Sequence, residues 1–126
     1  MKRLMLILAA AAMTTGVYAQ NLTILHLNDT HSHIDPQRSG EDKGHGGVIE
    51  HAVYIDSVRK ADGKKNVLLL HAGDFSQGTS YFTELGGDIE IDVLNATGYD
   101  VVTLGNHEFD NGAAELARRL GSLDAH

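Results

Sequence analysis

Val67-Leu68-Leu69-Leu70-His71-Ala72-Gly73-Asp74 runs from four consecutive aliphatic side chains into a glycine and a carboxylate. So short an apolar run, stopped by Gly-Asp, predicts a strand buried on both faces, the kind that parallel sheets use. Two other stretches repeat the design. Leu22 to Leu27 ends in Asn28-Asp29-Thr30-His31, and Val101 to Leu104 ends in Gly105-Asn106-His107. Periodicity alone does not separate such runs from buried helix. Their length and β-branched content favour strand.

Helical spacing fills the intervals. Val48, Ile49, Ala52, Val53 and Ile55 recur as one apolar side, with Glu50, Asp56, Arg59 and Lys60 opposite, and Asp62-Gly63 closes the pattern. A weaker helix covers Ile89 to Thr97 and stops at Gly98. A third begins near Asn111, a candidate cap, and runs through Ala113 to Leu120 before Gly121. Strand alternating with helix predicts βαβ units, hence an α/β fold with a parallel sheet and helices on its faces. Asp35 to Gly46 reads as a polar loop, and Gln77 to Gly87 stays open between loop and short helix. Leu123 to His126 reads as the approach to a further strand.

The 126 residues are 42% hydrophobic and 21% charged, a balance that suits a globular core and argues against disorder. A formal charge of −7 argues against a nucleic-acid binder that relies on phosphate contacts. An acidic protein that handles phosphate must recruit positive charge, and bound metal ions are one source. Cysteine is absent, which excludes disulfides, thiolate zinc sites and a cysteine nucleophile. Any metal is therefore held by nitrogen and oxygen. At the start of the chain, Lys2 and Arg3 precede an apolar run from Leu4 to Met13, and Val17-Tyr18-Ala19 precedes Gln20. That is a signal-peptide pattern for residues 1–19 and predicts an exported protein, periplasmic or extracellular. The run falls short of the ~20 residues that span a bilayer. No cysteine follows it to carry a lipid, so no membrane anchor is expected.

In open parallel sheets, ligands bind just beyond the carboxyl ends of the strands. The first run supplies Asp29 and His31 there, the second Asp74, the third Asn106 and His107. Asp29 and His31 are two apart, so in extended chain they project to one side and can grip one ion. Such oxygen and imidazole donors suit zinc, manganese, iron or magnesium without choosing among them. Each run alone is weak, because Asp-x-His and Gly-Asp are common in surface turns. Three runs, each directly after an apolar strand and each offering a ligand, are a stronger signal. Of the other histidines, His26 and His71 read as hydrogen-bonded core or supporting residues, and His45 and His51 as solvated. Gly44-His45-Gly46-Gly47 lacks the Lys-Ser/Thr ending of a phosphate loop.

In Ile24-Leu25-His26-Leu27-Asn28-Asp29-Thr30-His31, His71-Ala72-Gly73-Asp74-Phe75 and Leu104-Gly105-Asn106-His107-Glu108-Phe109-Asp110, the chain resembles the calcineurin-like metallophosphoesterases. The strings Asn-Asp-x-His and Gly-Asn-His-Glu-Phe-Asp narrow the resemblance to the 5′-nucleotidase family of exported nucleotide hydrolases. It covers Leu22 to about Leu123. It implies that residues 20–126 are the N-terminal portion, truncated, of that family's layered αββα metal domain. It also implies that Asp29 and His31 bind a first divalent metal, that Asp74 bridges two, and that Asn106 binds the second. His107 and Asp110 would form a catalytic dyad beside the phosphate of a small-molecule ester, a nucleotide. His33 would be no ligand, because the family uses the first histidine of the pair.

Each implied role has a physical rationale. A carboxylate has two oxygens and can hold two cations, and two cations activate a water and neutralise phosphoryl oxygens. His107 can donate a proton, and Asp110 can fix its tautomer. The family's remaining histidine ligands and its C-terminal nucleoside-binding domain would come from a later part of the polypeptide or a partner chain. UDP-sugar hydrolases, 2′,3′-cyclic-nucleotide phosphodiesterases and thiosulfohydrolases share the same front motifs. The alternative from another class is an inactive metal-binding or interaction fragment that a partner chain completes.

Overall fold

Val67–His71 is the central strand, β2, of a three-stranded parallel sheet in the computed structural model, which describes residues 21–126. β1, Thr23–Leu27, pairs with it so that Leu25 lies opposite Leu69, and β3, Val101–Val102, lies opposite Leu70 and His71. The helices are α1 (Gly47–Asp62), α2 (Ser80–Leu85), α3 (Asp88–Thr97) and α4 (Ala113–Leu120). The fold is α/β, as expected. The signal peptide expected over residues 1–19 lies outside the described residues, and no helix among them is long and apolar enough to cross a membrane.

The open stretch Gln77 to Gly87 resolves into α2, where the Thr79 hydroxyl accepts the Tyr81 N–H at the first turn. β3 is shorter than its apolar run. Thr103 N–H still donates to His71 O at 2.9 Å, and Leu104 and Gly105 then leave the ladder. At the other end, His126 N–H donates to Asp100 O and Val102 N–H donates to His126 O, at 3.1 and 2.8 Å. That is the pattern of a parallel bridge, so the last residue lies beside β3 as a strand would. Asn111 does not cap α4. Gly112, at φ 85°, leads into the helix, and the Asn111 amide donates instead to Gly86 O.

Strand pleating sorts the side chains into two faces. Leu25, Leu69, His71 and Val102 share the first, and α1, α3 and Phe75 pack around it. Ile55, Phe75, Ile91 and Leu94 are all buried there, and Leu69 is wholly so. Burying a leucine side chain contributes about 1.5–3 kcal/mol. Ile24, His26, Leu68, Leu70 and Val101 share the second face, which is open: Ile24 is 55% exposed and Val101 38%. Burial on both faces, expected from the continuous apolar runs, is therefore not found at β1, and His26 stands in solvent rather than in the core.

α1 departs from the expected amphipathic pattern in a similar way. The arc Val48, Ala52, Ile55 and Arg59, at helical spacing, turns inward. Ile49 and Val53 lie about 100° around the helix, and they are exposed. Arg59, expected on the polar side, instead donates to Thr97 O and Gly98 O at 2.6 Å each. A cation at the carboxyl end of α3 offsets its unpaired carbonyls and its dipole, and it locks α1 beside α3.

The one-sided sheet makes opposite faces unequal in energy. Leu69→Ala is expected to lower the unfolding free energy by about 2–5 kcal/mol. Ile24→Thr, on the open face of the adjacent strand, is expected to change it by no more than about 0.5 kcal/mol. Urea denaturation followed by far-ultraviolet circular dichroism measures both.

Candidate active site

Pairing between the first two strands continues into the loops that follow them. Ala72 N–H donates to Leu27 O, Asp29 N–H to Gly73 O, His31 N–H to Asp74 O and Ser32 N–H to Phe75 O, all at 2.8–3.1 Å. These bonds bring ligand atoms of Asp29, His31 and Asp74 within 4.8 Å of one another. The chain there is not extended, as the two-residue spacing assumed. Asp29, His31, Ser32 and Asp74 all have φ between 44° and 54°, the left-handed region. For a residue with a Cβ that conformation costs about 1–2 kcal/mol, and such outliers concentrate at functional sites. Here the backbone bonds between the two loops hold it.

The donors fit a divalent cation. The Asn28 amide donates to Asp29 Oδ2, His31 Nε2 lies 3.7 Å from Asp29 Oδ1, and the Asp29 side chain is 56% exposed. His31 Nδ1 is buried without a hydrogen-bond partner. An imidazole and two carboxylates with ligand atoms within 4.8 Å of one another are a donor set of the nitrogen-and-oxygen kind that metals of this class take. His33 is not in the group. It is exposed, and its Nδ1 lies 3.2 Å from Thr30 O.

The third loop closes on the other two. His107 N–H donates to Asp74 Oδ1 at 3.0 Å, and the His107 ring packs edge-on against His31 with centroids 5.3 Å apart. His107 Nδ1 lies 2.8 Å from Asp110 Oδ2. That hydrogen bond, reinforced by the charges of Asp110, Asp74 and Glu108, holds the imidazole pKa above its usual 6.5 against a smaller opposing effect of desolvation. With Nδ1–H donating to Asp110 Oδ2, Nε2 is the nitrogen left to exchange a proton. Asn106 precedes the 3₁₀ turn His107–Phe109 and is exposed at this junction.

Two glycines permit the approach. Gly73, at φ 97°, could not carry a Cβ, which would stand 2.5 Å from Gly105 N. At Gly105 the backbone angle is ordinary and proximity decides: a Cβ would meet Asp74 Oδ1 at 2.1 Å. Of the two, only Gly73 has the positive φ that a side chain would resist.

Several supporting residues escaped sequence reasoning. His71 was expected to be a hydrogen-bonded residue, but its partners were not foreseen. Its Nδ1 accepts the Gly73 N–H at 3.2 Å, so its proton sits on Nε2, 3.1 Å from Thr30 Oγ1. Burial pushes its pKa down to about 4, so it is the neutral imidazole that joins the first two loops. Glu108 was read only as a letter in a motif. It is fully buried and accepts three backbone N–H groups, from Asp74, Ser76 and Gly105. Behind it, the buried Arg119 donates to Glu108 O at 3.1 Å and lies 3.5 Å from Ser76 Oγ. His51, expected to be solvated, is half-buried on α1, lining one cavity with Leu94 and Thr97 of α3.

Residues 22–125 match the family model described as calcineurin-like phosphoesterase. A snake venom 5′-nucleotidase from Gloydius brevicauda is 41% identical over 111 residues, covering 84% of this chain and 18% of its own. The 5′-nucleotidase of Homo sapiens is 39% identical over 124 residues, covering 92% and 21%. Among solved structures, the NAD nucleotidase of Haemophilus influenzae superposes with a TM-score of 0.73 at 39% identity, over 82% of this chain and 19% of that one. The chain thus spans about a fifth of the length of the relatives it matches.

His71 gives the site's support a pH signature. Unfolded, the imidazole binds a proton near 6.5; folded, only near 4. Its contribution is therefore complete above about pH 6.5 and is lost as the pH falls toward about 4, an effect of about 3 kcal/mol. Denaturant unfolding of the parent and of His71→Gln at pH 7 and pH 4 is expected to show a steeper loss in the parent by about that amount.

Proposed function

The chain belongs to the calcineurin-like phosphoesterase family, and from that premise we propose that it provides the front of a metal-dependent site that hydrolyses nucleotide phosphate esters. Asp29 and His31 would hold one divalent cation, Asp74 would be shared between it and a second, and Asn106 would help to hold the second. When bound, two such cations lower the pKa of a water and neutralise charge on the phosphoryl oxygens. His107 donates its Nε2 proton to the phosphate or its leaving oxygen. Asp110 keeps the other ring proton in place and stabilises the imidazolium.

The observation that carries this reading is the meeting of Asp29, His31 and Asp74 with the His107 ring at the ends of adjacent parallel strands. The names of the relatives, 5′-nucleotidases and an NAD nucleotidase, favour a nucleotide as the ester. Their greater length supports residues 20–126 as the N-terminal portion of the metal domain. Further ligands and the nucleoside-recognising part would then come from polypeptide outside these residues or from a partner chain. The n-region and apolar run before Gln20 support export to the periplasm or the extracellular space.

The test is phosphate release, with added Mn²⁺, from adenosine 5′-monophosphate and from an aryl phosphate by a polypeptide in which these residues are joined by the rest of the metal domain. His107→Ala is expected to lower the rate about 10²–10⁴-fold, and Asp74→Ala combined with His107→Ala to abolish it. Turnover that survives the double substitution contradicts the assignment.

A further inference from the structure

Glu108 is a carboxylate with no exposed surface, beside the site, and among the described residues no cationic side chain pairs with its oxygens. Arg119, the buried guanidinium nearby, reaches the backbone carbonyl of Glu108 instead. Removing an ionised carboxylate from water is costly unless hydrogen bonds replace the water. Here three backbone donors do so. Glu108 Oε2 accepts from Asp74 N–H at 2.9 Å and Gly105 N–H at 2.6 Å, and Oε1 accepts from Ser76 N–H at 3.0 Å.

These donors belong to different strand-end loops. Asp74 and Ser76 follow β2, and Gly105 follows β3. Asp74 answers in the opposite direction, its Oδ1 accepting the N–H of His107. The two loops therefore exchange bonds: the carboxylate of each meets backbone N–H of the other. Without Glu108, three loop donors would lose their acceptor. The two loops would then keep the bond from His107 N–H to Asp74 and the longer bridge that Arg119 makes between Ser76 Oγ and Glu108 O.

We propose that Glu108 is a positioning residue, whose carboxylate clamps the Asp74 loop to the Asn106–His107 turn at the separation a shared metal site requires. It touches neither cation nor substrate and acts through Asp74, Asn106 and His107. The inference rests on the metal-dependent reading of the site given above. A glutamine of the same shape cannot substitute, because its amide NH₂ is a donor and would face at least one of the three N–H groups.

The experiment compares the full chain with Glu108→Gln by calorimetric titration with Mn²⁺ and by NMR of the metal-free proteins. Outer partners of metal ligands typically contribute 10–100-fold in affinity, and a loss in that range is expected for Glu108→Gln. The amide resonances of Asp74, Ser76 and Gly105 are expected to move together, while far-ultraviolet circular dichroism is retained. Equal Mn²⁺ affinity in parent and variant overturns the proposal. A parent that binds no Mn²⁺ overturns the metal reading itself, and the positioning role falls with it. Should the variant not fold, amide hydrogen exchange in the parent decides. Protection at Asp74, Ser76 and Gly105 comparable to β2 supports the clamp, and exchange at the rate of open loops overturns it.

Discussion

The register of β1 on β2 is the constraint on which the rest of the molecule depends. Leu25 opposite Leu69 fixes which side chains enter the core, and beyond the ladder further backbone bonds tie Asp29 to Gly73 and His31 to Asp74. A slip of one residue would turn every β1 side chain to the other face and carry Asp29 and His31 away from Asp74. The hydrophobic face therefore sets the geometry of polar residues that contribute nothing to the core. The loops that carry these bonds hold Asp29, His31 and Asp74 in left-handed backbone.

Around this zipper the site gathers negative charge. Asp29, Asp74, Glu108 and Asp110 stand near one another, and each is handled differently. The carboxylate of Glu108 is satisfied by backbone N–H groups, and that of Asp110 by the His107 imidazole. Asp29 and Asp74 keep oxygens that no other residue fully occupies, and close like charges of this kind are stabilised by cations. His71 supports the arrangement without adding charge, since burial keeps it neutral. Arg119 adds a cation behind the site but spends its hydrogen bonds on Glu108 O and Ser76.

Much of this was legible in the sequence, for identifiable reasons. Three short apolar runs, each stopped by a polar cluster, were enough for a parallel α/β sheet with candidate metal ligands gathered at its carboxyl ends. The burial of those strands was not legible. An apolar run records which residues tolerate burial, and Ile24 and Val101 show that it does not say which face is covered. In α1, Ile49 and Val53 fit helical spacing as well as Val48 and Ile55 do, and only the docking direction separates the two stripes. Backbone-directed roles were hidden as well. Glu108 binds main-chain N–H groups, which every residue type carries, so no partner residue in the sequence announces it. Asn111 resembles a helix cap, but Gly112 takes the turn.

The central claim is that three strand-end loops form one cation site. Substoichiometric Mn²⁺ added to the ¹⁵N-labelled chain tests it most directly, since the paramagnetic ion broadens only amides close to where it binds. The account predicts that amides of Asn28 to Ser32, Gly73 to Phe75 and Gly105 to His107 broaden together, while those of α1 from Tyr54 onward stay sharp. Broadening confined to one loop, or scattered over the acidic surface of the helices, would contradict it.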